Sequence, residues 1–538
     1  MCGILCVLSK RIPSDRLLIH RSGKTLTGRG PDCCCRVSLQ GSIYDFYRLC
    51  IVDKSPLGNQ PFVSGDIVVL CNGEIYNHVQ LEEEYELKCE SKSDCEVILR
   101  LYEKLKDFTK VVRLLDGVFA IVLTDGNKCW FARDRIGVRP MFKGWTQKGG
   151  HLALASLAKT LLPFCKDVKP VKPGIIYRFT KGRKVCSESY SLIRGDMATL
   201  RGIREPYEDA IIMLHDRLVN AVKKRLMADR PIGCLLSGGL DSSIITAILC
   251  KLIGPGNVRT YSVGMKGGLD LKYARKVADS LGTDHTEVIV EVEDAIAAIP
   301  QVIYDTETYD ITTIRASTMM WLLCNWISNN SSDIVIFSGE GSDELFCGYL
   351  YFHNAPNEYE ASKESYRLIK QLYLYDVLRA DRSVSCHGLE LRVPFLDIEV
   401  LHFALSVPAE YKAVMSDGWE KKILREAFGS YLPAEVAWRR KDGMSDGTSS
   451  LEKSWSMCIQ EFVDTRIGDE IFDSSKYMSK EAMYYKLLFD KFFPTYKLKI
   501  DMWMPKWSGD LKDPSGRLIQ AFDETPQDTE TDPEDVGK

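Results

Sequence analysis

The chain lacks any long apolar run. No stretch approaches the ~18 uninterrupted apolar residues of a membrane-spanning helix, and no basic segment leading into an apolar one stands at its start, so a cytosolic protein is expected. An excess of charge of either sign is missing too. Lys and Arg number 70 against 74 Asp and Glu, a formal net charge of -4, which gives no electrostatic reason to expect nucleic acid or a membrane surface as a partner. The 18 cysteines include no C-x-x-C pair. Cys33, Cys34 and Cys35 are too close together for zinc-ligand spacing and read as loop or packing thiols. The eight histidines form no H-E-x-x-H, and G-x-G-x-x-G is absent. Gly23-Lys24-Thr25 is no Walker A loop, because Leu18 stands where its first glycine belongs. Lys223, Lys224 and Arg225 read as a solvated helix end, and Asn329 to Ser332 as a polar loop.

What is present divides the chain in two. Its 538 residues exceed one ordinary core of ~100 to 200 residues. Up to about residue 190 short strands dominate (MCGILCVL, SIYDFYRLCIVD, DIVVLCNGEIY, GVFAIVLTDGNKCWFARD, HLALAS), with helices only at 78–88 and 94–106. Antiparallel sheets with a few helices follow from that pattern. Beyond it the pattern alternates. Residues 208–227 set Ile211, Leu214, Leu218, Val222 and Leu226 on one helical face, and IGCLLS, VRTYSVGM, HTEVIVEV and DIVIFSG then alternate with helices, as in a parallel sheet with covered faces. The expected domains are 2–190 and 205–515, with a boundary near Arg194-Gly195-Asp196. An acidic tail, 516–538, is expected to be disordered.

LLSGGLDSSII, Leu235 to Ile245, ends a strand and opens a helix through Ser237, Gly238 and Gly239. Glycine permits positive φ and a close backbone approach, and a helix amino terminus adds N–H groups that suit phosphate. Asp241 would repel that anion unless a cation such as magnesium intervened. DIVIFSGEGSDELFCGY repeats the logic with Ser338, Gly339, Glu340, Asp343 and Glu344. Ligands of such sheets bind at the carboxyl ends of the strands, where both motifs fall.

SGGLDSS resembles the pyrophosphate loop of the ATP pyrophosphatases, which adenylate a substrate. Together with SGEGSDE, YDITTIRAS, LRADR, HGLELRVPFLD and WMPKW, it is similar to the glutamine-hydrolysing asparagine synthetase family, from Met1 to about residue 520. The resemblance implies a doubly wound parallel sheet and ATP with Mg2+. Leu235, Val263, Ser338 and Gly339 would line the adenosine pocket, Ser237 to Ser243 (with Gly238, Gly239, Asp241 and Ser242) would hold pyrophosphate, and Asp241 and Asp343 would bind magnesium. Glu340 would take a proton from attacking ammonia beside a β-aspartyl adenylate. Lys441, in RRKDG, would neutralise phosphate charge.

An adenylate needs a nucleophile that water does not outcompete, and ammonia must be made on site because in neutral water it is mostly ammonium. Cys2 can supply it. If Met1 is removed, Cys2 carries an α-amine of unperturbed pKa about 7.7 to 8.0 that can take the thiol proton. The thiolate then attacks the glutamine carboxamide to give a thioester and ammonia. Around it, Arg29-Gly30-Pro31-Asp32, Tyr47-Arg48-Leu49, Cys71 to Asn77, Ser93-Asp94 and Arg133-Asp134 resemble the class II glutamine amidotransferases. That likeness implies an αββα fold. Arg48 would bind the glutamine α-carboxylate and Asp94 its α-amine, assisted by Glu74, with Leu49, Cys50, Ile51 and Val52 lining the pocket. Asn72 and the Gly73 amide would form the oxyanion hole. Three residues depart from the pattern: Gly28 and Tyr47 stand where it has histidine, and Leu157 where it has glutamate. They bear on the glutamine pocket or on coupling between the two sites. The implied partners are L-aspartate, L-glutamine and ATP. Monomer and homodimer both remain open, and so do two other functions on these residues, a sister enzyme adenylating another carboxylate and a silent regulatory protein.

Overall fold

The computed structural model describes residues 1–180, 185–191, 202, 205–414, 418–439, 447–449, 453–497, 499–509 and 513–514. Up to residue 191 the chain forms two stacked antiparallel sheets. Their strands are β1 (Gly3–Leu8), β2 (Cys33–Leu39), β3 (Ser42–Arg48), β4 (Phe62–Ser64), β5 (Ile67–Ile75), β6 (Gly117–Asp125), β7 (Lys128–Arg133), β8 (Phe142–Thr146), β9 (Leu152–Ala155), β10 (Cys165–Pro170), β11 (Ile175–Thr180) and β12 (Cys186–Ser189). The first sheet runs β10-β8-β9-β1-β3-β2 and the second β12-β11-β7-β6-β5-β4. Ile4, Cys6, Phe46, Val68, Leu70, Val122 and Phe131 fill the space between them. Helices α1 (Arg16–Gly23), α2 (His78–Glu84), α3 (Glu96–Leu105) and α4 (Phe108–Leu114) and the single turn α5 (Ala158–Leu161) are laid on the outer faces, α1 and α5 on the first sheet and α2 to α4 on the second. Being covered on both sides, β1 is buried along its whole length and reads as an unbroken apolar run.

Two readings of this half change. Cys33 to Cys35 lie in edge strand β2 rather than in a loop, paired with Arg48, Tyr47 and Phe46 of β3. The strand expected to continue to Asp53 ends at Arg48, because the next residues bond to Cys2 and to the other half instead of to a ladder.

In the second half β13 (Ile232–Leu235), β14 (Arg259–Gly264), β15 (Asp284–Ile289), β16 (Val335–Phe337) and β17 (Glu390–Arg392) form a wholly parallel sheet in the order β15-β14-β13-β16-β17. Its helices include α6 (Tyr207–Lys224), α7 (Leu240–Ile253), α8 (Leu269–Leu281), α9 (Val292–Thr306), α10 (Ile311–Asn330), α11 (Ser342–Leu345), α12 (Glu358–Gln371) and α13 (Asp376–Ser385). Helix α9, which contains Pro300, and the three-residue β17 have no counterpart in the sequence reading. Asn329 and Asn330 form the last turn of α10 rather than a loop. Among the described residues no helix is long and apolar enough to cross a membrane.

The halves meet through buried charge. Arg225 is buried, with Nη1 2.5 Å from Asp397 and its guanidinium over the Tyr76 ring. Lys224 Nζ lies 2.6 Å from both Asp116 and Asp397. The presumed solvated helix end is thus a seam, and of its three cations only Lys223 is exposed. Arg29 of the first half pairs with Asp381 of α13 at 2.7 Å, both fully buried.

Two candidate active sites

At the glutamine end, β1 pairs Gly3 with Tyr47 of β3, which sets Cys2 beside Arg48. The Leu49 N–H donates to Cys2 Sγ at 3.4 Å. Burial pushes the Cys2 thiol up to about 12, so a base would have to take its proton for it to act as a nucleophile. With Met1 in place the terminal amine belongs to Met1; it is buried, donates to the Leu389 carbonyl at 3.1 Å, and burial lowers it to about 6. Arg48 donates to Ser55 O and Asn59 Oδ1 at 2.8 Å each and to the carbonyls of Val52 and Asp53. Asp94 Oδ2 accepts the Ile75 N–H at 2.6 Å, and burial raises its carboxyl to about 6. Burial also raises Glu74, with Glu390 and Asp94 adding like charge. Asn72 is fully buried and its amide has no partner among the described residues. A buried amide in that state is costly unless something else uses it, which suits an oxyanion donor. At Gly73 a Cβ would stand 2.1 Å from the Val118 carbonyl oxygen, so the close approach of β6 requires glycine there.

The three departing residues stand away from this chemistry. Tyr47, one residue from Arg48 and on the opposite sheet face, packs at Gly23 of α1 and accepts from Arg36 at 3.4 Å. Gly28 lies at the seam, where a Cβ would be 2.7 Å from the Cys386 carbonyl oxygen. Leu157 precedes Ala158 and Lys159, whose N–H groups donate to Glu307 of the second half at 3.0 and 2.6 Å.

At the nucleotide end, β13 and β16 are neighbours and the chain winds outward from them in opposite directions. The crevice at their carboxyl ends is the switch point where open α/β sheets bind ligands. Gly238 takes φ +70, and a Cβ on Gly339 would meet the Asp241 backbone at 2.9 Å, so the two loops pack backbone on backbone. Leu235, Ser237, Gly239, Asp241, Ser242, Ser338, Gly339, Glu340 and Asp343 all line one cleft of about 230 Å³. Gly238, Ser243 and Val263 do not: Gly238 abuts Tyr273 and Ala274 of α8, Ser243 donates to the Gly239 carbonyl at 2.7 Å, and Val263 is buried in β14. Lys441 lies outside the described residues.

Two residues of this cleft escaped the sequence reading. Lys421 Nζ sits 2.6 Å from both Asp241 and Asp343, fully buried and in a left-handed conformation. In TRP-GLU-LYS-LYS order, as WEKKILREAF, it reads only as a charged helix start, and nothing local marks it. Arg379 donates to Glu340 at 2.7 Å and to Asp376 at 3.0 Å; the LRADR string held it without assigning it a role. Burial raises the Glu340 carboxyl, and it raises Glu344 well above the usual range, with Asp376 and Asp343 adding to the effect. Lys421 is itself the cation between the Asp241 and Asp343 carboxylates; their remaining oxygens fit a hard divalent ion, since Mg2+ is bound through one or two carboxylates plus phosphate oxygens. No cluster of three or more protein ligands exists among the described residues.

The comparisons agree with both halves. The glutamine amidotransferase domain model matches residues 1–202, and the asparagine synthase model matches 213–361 and 355–508. Glutamine-hydrolysing asparagine synthetases are similar over almost the whole chain: the Gallus gallus protein is 39% identical, covering 97% of this chain and 99% of that one. The Homo sapiens protein is 40% identical over the same shares. The chain belongs to the glutamine-hydrolysing asparagine synthetase family. The Rattus norvegicus member is 40% identical, covering 98% of this chain and all of its own.

Proposed function

We propose that this chain synthesises L-asparagine from L-aspartate and L-glutamine with ATP, through β-aspartyl-AMP, releasing AMP, pyrophosphate and L-glutamate. The carrying observation is that both half-sites stand in one chain and that the sheet bearing the ATP cleft touches the glutamine pocket. Strand β17 of the ATP sheet places Arg392 Nη2 3.6 Å from Glu74 Oε2 of the glutamine pocket. The proposed division into 2–190 and 205–515 follows the two sheet systems, and a cytosolic place of action accords with the thiol-rich composition.

In this reading Arg48 and Asp94 hold the glutamine backbone groups, Cys2 Sγ attacks the carboxamide, and the Asn72 amide with the Gly73 N–H receives the oxyanion. Removal of Met1 leaves the Cys2 amine to take the thiol proton. In the cleft, the Ser237 to Ser242 turn and the α7 amino terminus receive pyrophosphate. Asp241 and Asp343 would hold Mg2+, which offsets phosphate charge when bound. Glu340, its carboxyl raised by burial, takes the proton from ammonia as it attacks the adenylate. Product analysis with aspartate, ATP, Mg2+ and either amide-labelled glutamine or ammonium tests this. Labelled asparagine with equimolar AMP is expected; pyrophosphate release with another carboxylate but not with aspartate would assign the scaffold to a different substrate.

A further inference from the structure

We propose that Asp229 and Arg230, which precede β13 in the ATP-binding half, are positioning residues for the glutamine pocket of the other half. The proposal rests on the assignment of Arg48 to the glutamine carboxylate. A guanidinium recognises a carboxylate through a planar fork, so its orientation decides its use. Two of the carbonyls that orient Arg48 belong to Val52 and Asp53. Asp53 takes φ +61, a left-handed conformation that a non-glycine residue keeps only when its surroundings hold it there.

The Asp53 carboxylate accepts from the Ser55 and Lys92 N–H groups of its own half, at 2.8 and 2.9 Å, while its own N–H is held from the second half. The Asp53 N–H donates to Asp229 Oδ2 at 2.9 Å, across 176 residues of sequence. The Asp229 N–H donates to the Ile51 carbonyl at 2.9 Å. Arg230 Nε donates to the Cys50 carbonyl at 2.7 Å, and its Nη2 lies 2.9 Å from Asp32 Oδ2, which itself accepts the Cys50 N–H at 2.7 Å. Within the pocket segment, Leu49 is bonded to the nucleophile, while Cys50, Ile51 and Asp53 are bonded to Asp229 and Arg230. Asp229 is exposed, so hydrophobic packing does not explain where it stands. Its carboxylate acts through Asp53 on Arg48 and never touches substrate.

Steady-state kinetics of the full chain test this, with glutamine and with ammonium as nitrogen source. Asp229→Ala is expected to raise the KM for glutamine by about tenfold, the effect of one charge-assisted hydrogen bond, while kcat at saturating glutamine and the ammonium-dependent rate stay as in the parent. Asp229→Asn keeps an oxygen acceptor for the Asp53 N–H and should restore most of the affinity. An unchanged KM in Asp229→Ala, or an equal fall in the ammonium-dependent rate, overturns the proposal. Arg48→Ala is measured alongside: if its glutamine KM is unchanged, the pocket assignment itself has failed, whereas a raised KM there with an unaffected Asp229→Ala defeats the positioning role alone.

Discussion

Cys2 carries a thiol that burial holds near 12, so its reactivity depends on a base rather than on a standing thiolate. Cys2→Ala is expected to abolish asparagine formation from glutamine and to spare formation from ammonium, read in parallel assays; loss of both would remove the two-site assignment. A mass spectrum of the amino-terminal peptide should show Met1 absent, since only then does Cys2 own the amine. On the proposed role of Asn72, Asn72→Ala removes one oxyanion donor and should lower glutaminase kcat by 10²- to 10³-fold, about 2.7 to 4 kcal/mol of barrier, with little change in the glutamine KM. On the proposed role of Asp94, the pocket is pH-sensitive. That residue's carboxyl, raised by burial to about 6, is neutral below that pH and charged above it, and only the charged form attracts the glutamine ammonium. Glutamine KM is therefore expected to be lowest on the alkaline side and to rise as the pH falls through about 6, a dependence that Asp94→Asn should flatten.

At the scale of elements, the proposed pyrophosphate site depends on the shape of the turn between β13 and α7. Gly238 has φ +70, and a Cβ there would stand 2.4 Å from the Ala274 nitrogen. Gly238→Ala should therefore cost roughly 1 to 3 kcal/mol and push the turn away from α8. Aspartate-dependent pyrophosphate release should fall with either nitrogen source, while glutamate release from glutamine persists; unaffected pyrophosphate release would show that the turn's shape is not needed. This turn was legible in LLSGGLDSSII because glycine, serine and aspartate specify a strand-to-helix turn locally. The loop after Arg48 was not. SIYDFYRLCIVD keeps strand-like composition past Arg48, and only bonds to Cys2, Asp229 and Arg230 pull it from the sheet.

At the scale of the whole molecule, the two halves are held in part by charges that water does not reach. Arg29 meets Asp381 and Ser385 Oγ at 2.7 Å each. Removing one partner of such a pair costs up to about 3 to 5 kcal/mol; here Arg139 Nη1, 3.6 Å from Asp381, offsets part of it. Arg29→Met should lower the Tm and loosen the seam, so that glutamate formed per asparagine rises above the parent ratio. An unchanged ratio would mean that this contact does not help to retain ammonia. What the sequence determined by itself was local: strand and helix periods, the Gly-rich turns, the two half-sites and the amidotransferase and synthetase strings, all of which depend on residues a few positions apart. Tertiary structure alone decided which charges are buried and whom they face. Lys421 reaches Asp241 across 180 residues, Arg225 turns from a solvated helix end into a seam contact, and Asp229 reaches Asp53. The energy of a buried charge depends on its partner and on the loss of water around both, and neither is written in the residues beside it.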